Sequence, residues 1–269
     1  MSENEKSISV LCLGAGNMVS SIVPLIKKSN GFLDFTIYTP SGTRAEKLAK
    51  HVDGEVLNSL DCNRKFDWII LGFKPQHFDD AVSSFVSLID KETVVISLLA
   101  GKKISTIQDS LNTKNVCRLM PNIPSRVAHG ANLLSFSPTF GLNEKPDVFS
   151  CFDSLGYLLE LDEDQLDLAT PFSGSGPAYY YLFTEILSDI LKEKGFSDKN
   201  ASDLIMHTFI GAAKLLEHSG LPPSELRSQV TSKGGVTHAV VHDMISSELE
   251  NLFRNSLEKG IDRNKELNN

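Results

Sequence analysis

The stretch SISVLCLGAGNM, residues 7–18, opens on an apolar run and closes on glycines. Residues 7–14, a short apolar run, read as a strand, and they pass directly into Gly14-Ala15-Gly16-Asn17-Met18 and then a helical pattern. In that context a glycine-rich turn lets a pyrophosphate approach a helix N-terminus, where unbonded N–H groups and the helix dipole favour negative charge. Gly14, Gly16, Asn17 and Met18 are thus the first candidate dinucleotide contacts, and a tight turn that binds nothing is the bland alternative. Val19 holds the third position of G-x-G-x-x-G, where its side chain is expected to hinder close contact between helix and strand. Pro24 falls inside the predicted helix, where a proline is expected to kink it.

Downstream, apolar runs alternate with helical patterns at FTIYT (35–39), DWIILGF (67–73), TVVISLLAG (93–101) and NVCRLMP (115–121). Such alternation predicts a parallel sheet wrapped by helices. After about residue 160 the strands stop and apolar positions recur every three to four residues, as in 179–195 and 201–220. Gly195 and Gly220 fall where helix C-caps are expected. The change of period predicts an α/β protein with a Rossmann-type dinucleotide-binding domain over residues 1–164 and an all-helical domain over 165–269.

An acid after the second strand usually marks preference for NAD, because it binds the ribose 2'-hydroxyl. Asp34 has the spacing but precedes the run FTIYT, at the wrong end of the strand. The right end reads Thr39-Pro40-Ser41-Gly42-Thr43-Arg44, with hydroxyls and a guanidinium. Ser41, Thr43 and Arg44 therefore favour NADP(H) over NAD(H), a 2'-phosphate being a good partner for a guanidinium. A polar turn with Arg44 merely solvated is the alternative.

The 269 residues, 41% hydrophobic, suffice for a full core, and a net charge of −8 with scattered Lys and Arg argues against nucleic acid. The four cysteines form no C-x-x-C pair and read as reduced thiols. The polar start MSENEKS and the shortness of the apolar runs point away from export and membranes, so the expected location is cytoplasmic. His238 and His242 are spaced i, i+4, but there is no third ligand and no H-E-x-x-H, so no metal is expected.

Two later segments have the chemistry of anion sites. SGSGPAY places Ser173, Gly174, Ser175 and Gly176 in a hydroxyl-bearing loop before Pro177, a residue suited to a first helical turn. TSKGGVT repeats the device with Thr231, Ser232, Gly234, Gly235 and Thr237 ahead of a helical stretch. Two such nests can hold one carboxylate, whereas the bland alternative is a pair of ordinary helix N-caps.

GAGNM, FKPQ (73–76), RLMPNIPSRVAHGAN (118–132), SGSGPAYYYLFTEIL (173–187) and TSKGGVTHA (231–239) stand in order over nearly the whole chain. Together they resemble the pyrroline-5-carboxylate reductase family. The resemblance implies that Lys74 and Pro75 line the cofactor cleft, that Met120, Pro121 and Asn122 lie beside the nicotinamide, and that Asn58 is near the adenosine ribose. It implies NADPH-linked reduction of the imino acid pyrroline-5-carboxylate to proline, in a homodimer or larger homo-oligomer whose helical domains pair. Ser232 and the 231–237 backbone are then carboxylate ligands, and the Thr237 hydroxyl lies near the ring nitrogen, where it can relay a proton.

The chain departs from the family pattern in places. Lys233 replaces a proline in the S-P-G-G loop, Val236 stands at a position often held by Thr, Val240 and Ile245 replace Gly and Glu, and His129 falls in the M-P-N-x-P segment. For Lys233, carboxylate binding, repulsion of a protonated imine and a solvent-facing role all stay open. Two rivals remain: a reductase of another cyclic imine acid or hydroxy acid, and a catalytically silent dinucleotide-binding protein. Lys214 is reminiscent of the lysine of β-hydroxyacid dehydrogenases, but the G-x-x-x-K spacing is not met from Gly211.

Overall fold

The computed structural model describes residues 7–268. Contacts divide the chain into one unit running to Ser175 and resuming at Ile261, and a second comprising Gly176–Gly260. The expected boundary at 164/165 thus falls inside a helix of the first unit, Glu163–Ser173.

The first unit is built on an eight-stranded sheet in the order β3-β2-β1-β4-β5-β6-β7-β8. The strands are β1 (Ile8–Leu13), β2 (Leu33–Tyr38), β3 (Glu55–Val56), β4 (Trp68–Leu71), β5 (Val94–Ser97), β6 (Val116–Met120), β7 (Gly130–Phe136) and β8 (Gly156–Glu160). All neighbouring strands pair in parallel except β6 and β7, which are antiparallel. The five expected strands are β1, β2, β4, β5 and β6.

Helices cover both faces, which is why these strands are apolar throughout rather than alternating. On one face Val10 and Cys12 of β1 pack with α1 (Asn17–Ser29), α2 (Thr43–Val52) and α5 (Lys145–Phe152), through Ile22, Leu48 and Phe152 among others. On the other, Leu11 and Leu13 pack with α3 (Phe78–Phe85) and α4 (Ile104–Leu111), through Phe85 and Ile107. At about 1.5–3 kcal/mol per fully buried large side chain, these two layers are the main stabilising term of the unit.

One sequence expectation needs correcting. Val19 does not hold α1 away from the sheet: it is buried, and a methyl built on Gly72, just beyond β4, would overlap its Cγ2. The small residue that permits close approach is supplied by the strand side of the contact instead of the helix side. α1 runs unbroken through Pro24 to Ser29.

α6 (Glu163–Ser173) starts at an Asp162 side chain that accepts from the N–H of Gln165 at 2.9 Å. It is fixed to the sheet by Arg118 of β6, only 1% exposed, which reaches Glu163 at 2.7 Å and Asp167 at 2.8 Å. Lys103 adds a bond to Asp167 at 3.0 Å, and the N–H of Ile104 donates to Glu163 at 2.7 Å.

The second unit is helical: α7 (Gly176–Glu193), α8 (Asp198–Ser219), α9 (Pro223–Gln229), α10 (Val236–Ser246) and most of α11 (Leu249–Asn268). α7 ends in paired bonds from Gly195 N–H to the Lys192 carbonyl and from Phe196 N–H to the Leu191 carbonyl, with Gly195 at φ +93°. Gly220, at φ +65°, caps α8. Tyr180 packs on Phe209 and Phe183 stacks on Phe253. Among the described residues no helix is long and apolar enough to cross a membrane.

Candidate active site

A cleft of about 990 Å³ opens at the C-terminal ends of β1, β2 and β4. This is where strand order reverses about β1, the crevice in which doubly wound sheets hold ligands. Gly14 sits at φ +101°, and a Cβ there would lie 2.8 Å from the backbone of Gly72 and Phe73. Both facts demand glycine, and the result is a turn tight enough to aim α1 at the cleft. Gly16 precedes α1 in extended conformation, no side chain caps the helix, and its first turn holds no acid. The leading N–H groups of α1 are thereby left for an anion.

The segment after β2 forms the next wall. Ser41 and Arg44 line the cleft beside Tyr38, Thr39 and Pro40, whereas Thr43 does not, its hydroxyl lying 3.5 Å from the Ser41 carbonyl. The Thr39 hydroxyl is buried without a partner. An orphaned hydroxyl inside a cleft with glycine-lined donors suits a polar nucleotide cofactor, because a bound group would satisfy what folding leaves unpaired. Asp34 lies at the far end of β2, bonded by the Ser7 hydroxyl and 3.9 Å from Lys27. No acid from β2 therefore faces the cleft.

Lys74, Pro75, Met120 and Pro121 also line it, as do Gly14, Gly16, Asn17 and Met18. Two further expected contacts, besides Thr43, do not. Asn58 is exposed outside the lining. Asn122 is only 6% exposed, its amide N–H donating to the Ser173 carbonyl at 2.9 Å and its amide oxygen accepting from Ala131 N–H at 3.0 Å. Sequence reasoning missed Phe73, His77, Phe85 and Leu98 in the lining. The available signal was positional, since Phe73 and Leu98 lie within two residues of the ends of β4 and β5.

The loop expected over 173–176 is shorter than its composition suggests. Ser173 is the last residue of α6 and Gly176 the first of α7. The N–H groups of Gly174 and Ser175 turn back to the Thr170 carbonyl, at 2.8 and 3.4 Å, and are thus removed from the expected anion nest. Only the opening turn of α7 retains orphan donors there.

The 231–235 segment is a glycine turn, but it spends two of the expected donors, the Gly235 N–H and the Thr231 hydroxyl, on carbonyls of its own chain. Gly235 N–H donates to the Ser232 carbonyl at 3.0 Å, closing a turn with Gly234 at φ +75° in its third position, as in a type II turn. Lys233 is the exposed second residue, a place that also suits the proline common in the family. A side chain at Gly235 would lie 2.6 Å from the Ser232 Oγ, so glycine there lets the hydroxyl approach the backbone. Thr231 is fixed by its hydroxyl to the Arg227 carbonyl at 2.6 Å. α10 follows with no side-chain cap and no acid in its first turn, and Thr237 is its second residue.

Elsewhere, His238 and His242 stack with ring centroids 5.8 Å apart, and no group of three or more metal-ligating side chains occurs among the described residues. All four cysteines are free thiols; burial pushes Cys12 and Cys117 up, and Cys151 up to about 12. Such thiols are poor nucleophiles at neutral pH.

Two family models match this chain. One, described as pyrroline-5-carboxylate reductase dimerisation, covers residues 163–267; the other, described as NADP oxidoreductase coenzyme F420-dependent, covers residues 8–101. The pyrroline-5-carboxylate reductase of Staphylococcus haemolyticus is 31% identical over 259 residues, spanning 94% of this chain and 96% of that protein. The Staphylococcus saprophyticus enzyme of the same name is 32% identical over the same shares. The solved pyrroline-5-carboxylate reductase from Coxiella burnetii superposes with a TM-score of 0.86 at 26% identity, covering 98% of this chain and all of that one. With a cleft at the switch point of an eight-stranded sheet, a helical unit later in the chain and these relatives along nearly its full length, the chain belongs to the pyrroline-5-carboxylate reductase family.

Proposed function

We propose that the chain reduces pyrroline-5-carboxylate to proline, that it prefers NADPH to NADH, and that it works as a homodimer or larger homo-oligomer. The observation that carries the substrate is identity of 31–32%, across 94% of the chain, with proteins named for this reaction. The site chemistry supports it. Reduction of a protonated cyclic imine needs a held carboxylate and an aligned donor more than a strong protein acid. The uncapped start of α10 and its glycine turn offer carboxylate donors at Ser232 and Gly234, while Thr231 and Gly235, whose own donors are taken by the Arg227 and Ser232 carbonyls, hold the turn in shape. The Ser173–Gly176 segment contributes through the start of α7. The Thr237 hydroxyl orients the imine nitrogen and relays a proton to it. When bound, NADPH supplies the hydride that adds to the imine carbon.

On the cofactor side, the N–H groups after Gly14 and Gly16, at Asn17 and Met18, take the pyrophosphate. Ser41, Arg44 and the unpartnered Thr39 hydroxyl take the 2'-phosphate end. Lys74, Pro75, Met120 and Pro121 enclose the nicotinamide end. The functional boundary is assigned to 164/165, supported by the dimerisation family model beginning at residue 163.

The test follows NADPH oxidation by the purified protein with pyrroline-5-carboxylate, with NADH in parallel. Turnover with a higher kcat/KM for NADPH is expected. Equal kcat/KM for both cofactors removes the preference, turnover only on another cyclic imine acid reassigns the substrate, and cofactor binding without turnover marks a silent protein.

A further inference from the structure

The segment Arg118-Leu119-Met120-Pro121-Asn122 holds α6 near both of its ends. Arg118 ties Glu163 and Asp167 in its first two turns, and Asn122 bonds the carbonyl of Ser173, its last residue. Between these two anchors, Met120 and Pro121 line the cofactor cleft. The same Asn122 amide also accepts from Ala131 at the start of β7, so both of its ends are engaged and it is almost fully buried. We infer that Asn122 is a positioning residue, which fixes the end of α6 and the Ser173–Ser175 turn relative to the nicotinamide end of the cleft and so sets substrate affinity without touching the cofactor. This rests on the reading of that turn as part of the imino-acid site.

Asn122→Asp separates the two bonds. The carboxylate keeps an acceptor for Ala131 but loses the donor to Ser173, and it regains one when protonated. Burial beside a carbonyl oxygen raises such a carboxyl, bringing its titration toward neutral pH. The expected result is a KM for pyrroline-5-carboxylate raised roughly tenfold relative to wild type, with the ratio shrinking as pH falls, while the Kd for NADPH stays within about twofold. Hydrogen exchange at the Gly174 and Ser175 amides should quicken. Where the buried charge prevents folding, Asn122→Ala removes the same donor without a charge, and its KM ratio should show no such pH dependence.

A raised Kd for NADPH with unchanged KM would make Asn122 a cofactor ligand. A lower Tm with KM and exchange unchanged would leave it merely structural. Either outcome overturns the inference. A wild type that turns over no pyrroline-5-carboxylate would instead sink the substrate reading, and the exchange measurement would still decide whether Asn122 fixes the turn.

Discussion

The side chain of Val19 occupies the space that a methyl at position 72 would need, so the contact between α1 and the sheet depends on which partner is small. Gly72→Ala should cost about 1–3 kcal/mol in urea unfolding through overpacking, and adding Val19→Ala should recover most of the loss. Simple additivity of the two losses would show that the contact is not the cause. Thr237 tests the chemistry. Thr237→Val keeps the shape and removes the hydroxyl, so kcat should fall roughly ten- to a thousandfold with NADPH binding unchanged. Wild-type kcat in that variant would remove the proton-relay role. Both residues were visible in the sequence, but Gly72 was not singled out, because its need for glycine comes from a contact across 53 positions and not from local conformation.

Arg118 shows what an element gains from a buried charge. Arg118→Met leaves Glu163 and Asp167, both mostly buried, without their counter-charge, and a loss of about 3–5 kcal/mol is expected in thermal or urea unfolding. A loss below about 1 kcal/mol would mean that α6 is held by its apolar contacts alone. That arginine was read in the sequence only as part of a motif, since its partners lie 45 and 49 residues away. The five expected strands were legible because burial on both faces makes them largely apolar runs. β3 has two residues, too short to carry a period, and β8 is an edge strand with exposed side chains. β7 was obscured by Asn132 and Ser135, buried polar residues whose side chains bond inside the fold or pack between strands. The Ser173–Gly176 loop was misjudged for a related reason. Its composition is that of a loop, but α6 continues past Pro171 to Ser173, so the expected nest loses the Gly174 and Ser175 donors.

The helical unit raises the question of what stabilises it. Among residues 176–260 only Gly176, Ser188 and Ala201 are buried, so no large apolar side chain of this stretch is fully buried within the chain. Leu182, Ile186 and Ile190 recur every four residues along α7, about half exposed, and border or continue an apolar groove of about 350 Å³ completed by Leu249, Leu252 and Phe253 of α11. Val236, 84% exposed, and Val240, two of the departures from the family pattern, add apolar surface on α10. Exposed apolar area of this extent marks an interface, and a second copy of the chain is the occupant that the dimerisation family match supports. Stability should then depend on protein concentration, each tenfold increase adding about 1.4 kcal/mol per dimer and raising Tm by roughly one to two degrees. Ile186→Glu, which sets a charge in the groove, should shift the protein to monomers in light scattering and abolish turnover. NADPH binding should persist, because the cleft belongs to the first unit. A wild-type Tm independent of concentration, together with an Ile186→Glu protein that stays oligomeric and active, would place the subunit interface elsewhere and leave these helices to be covered by some other partner.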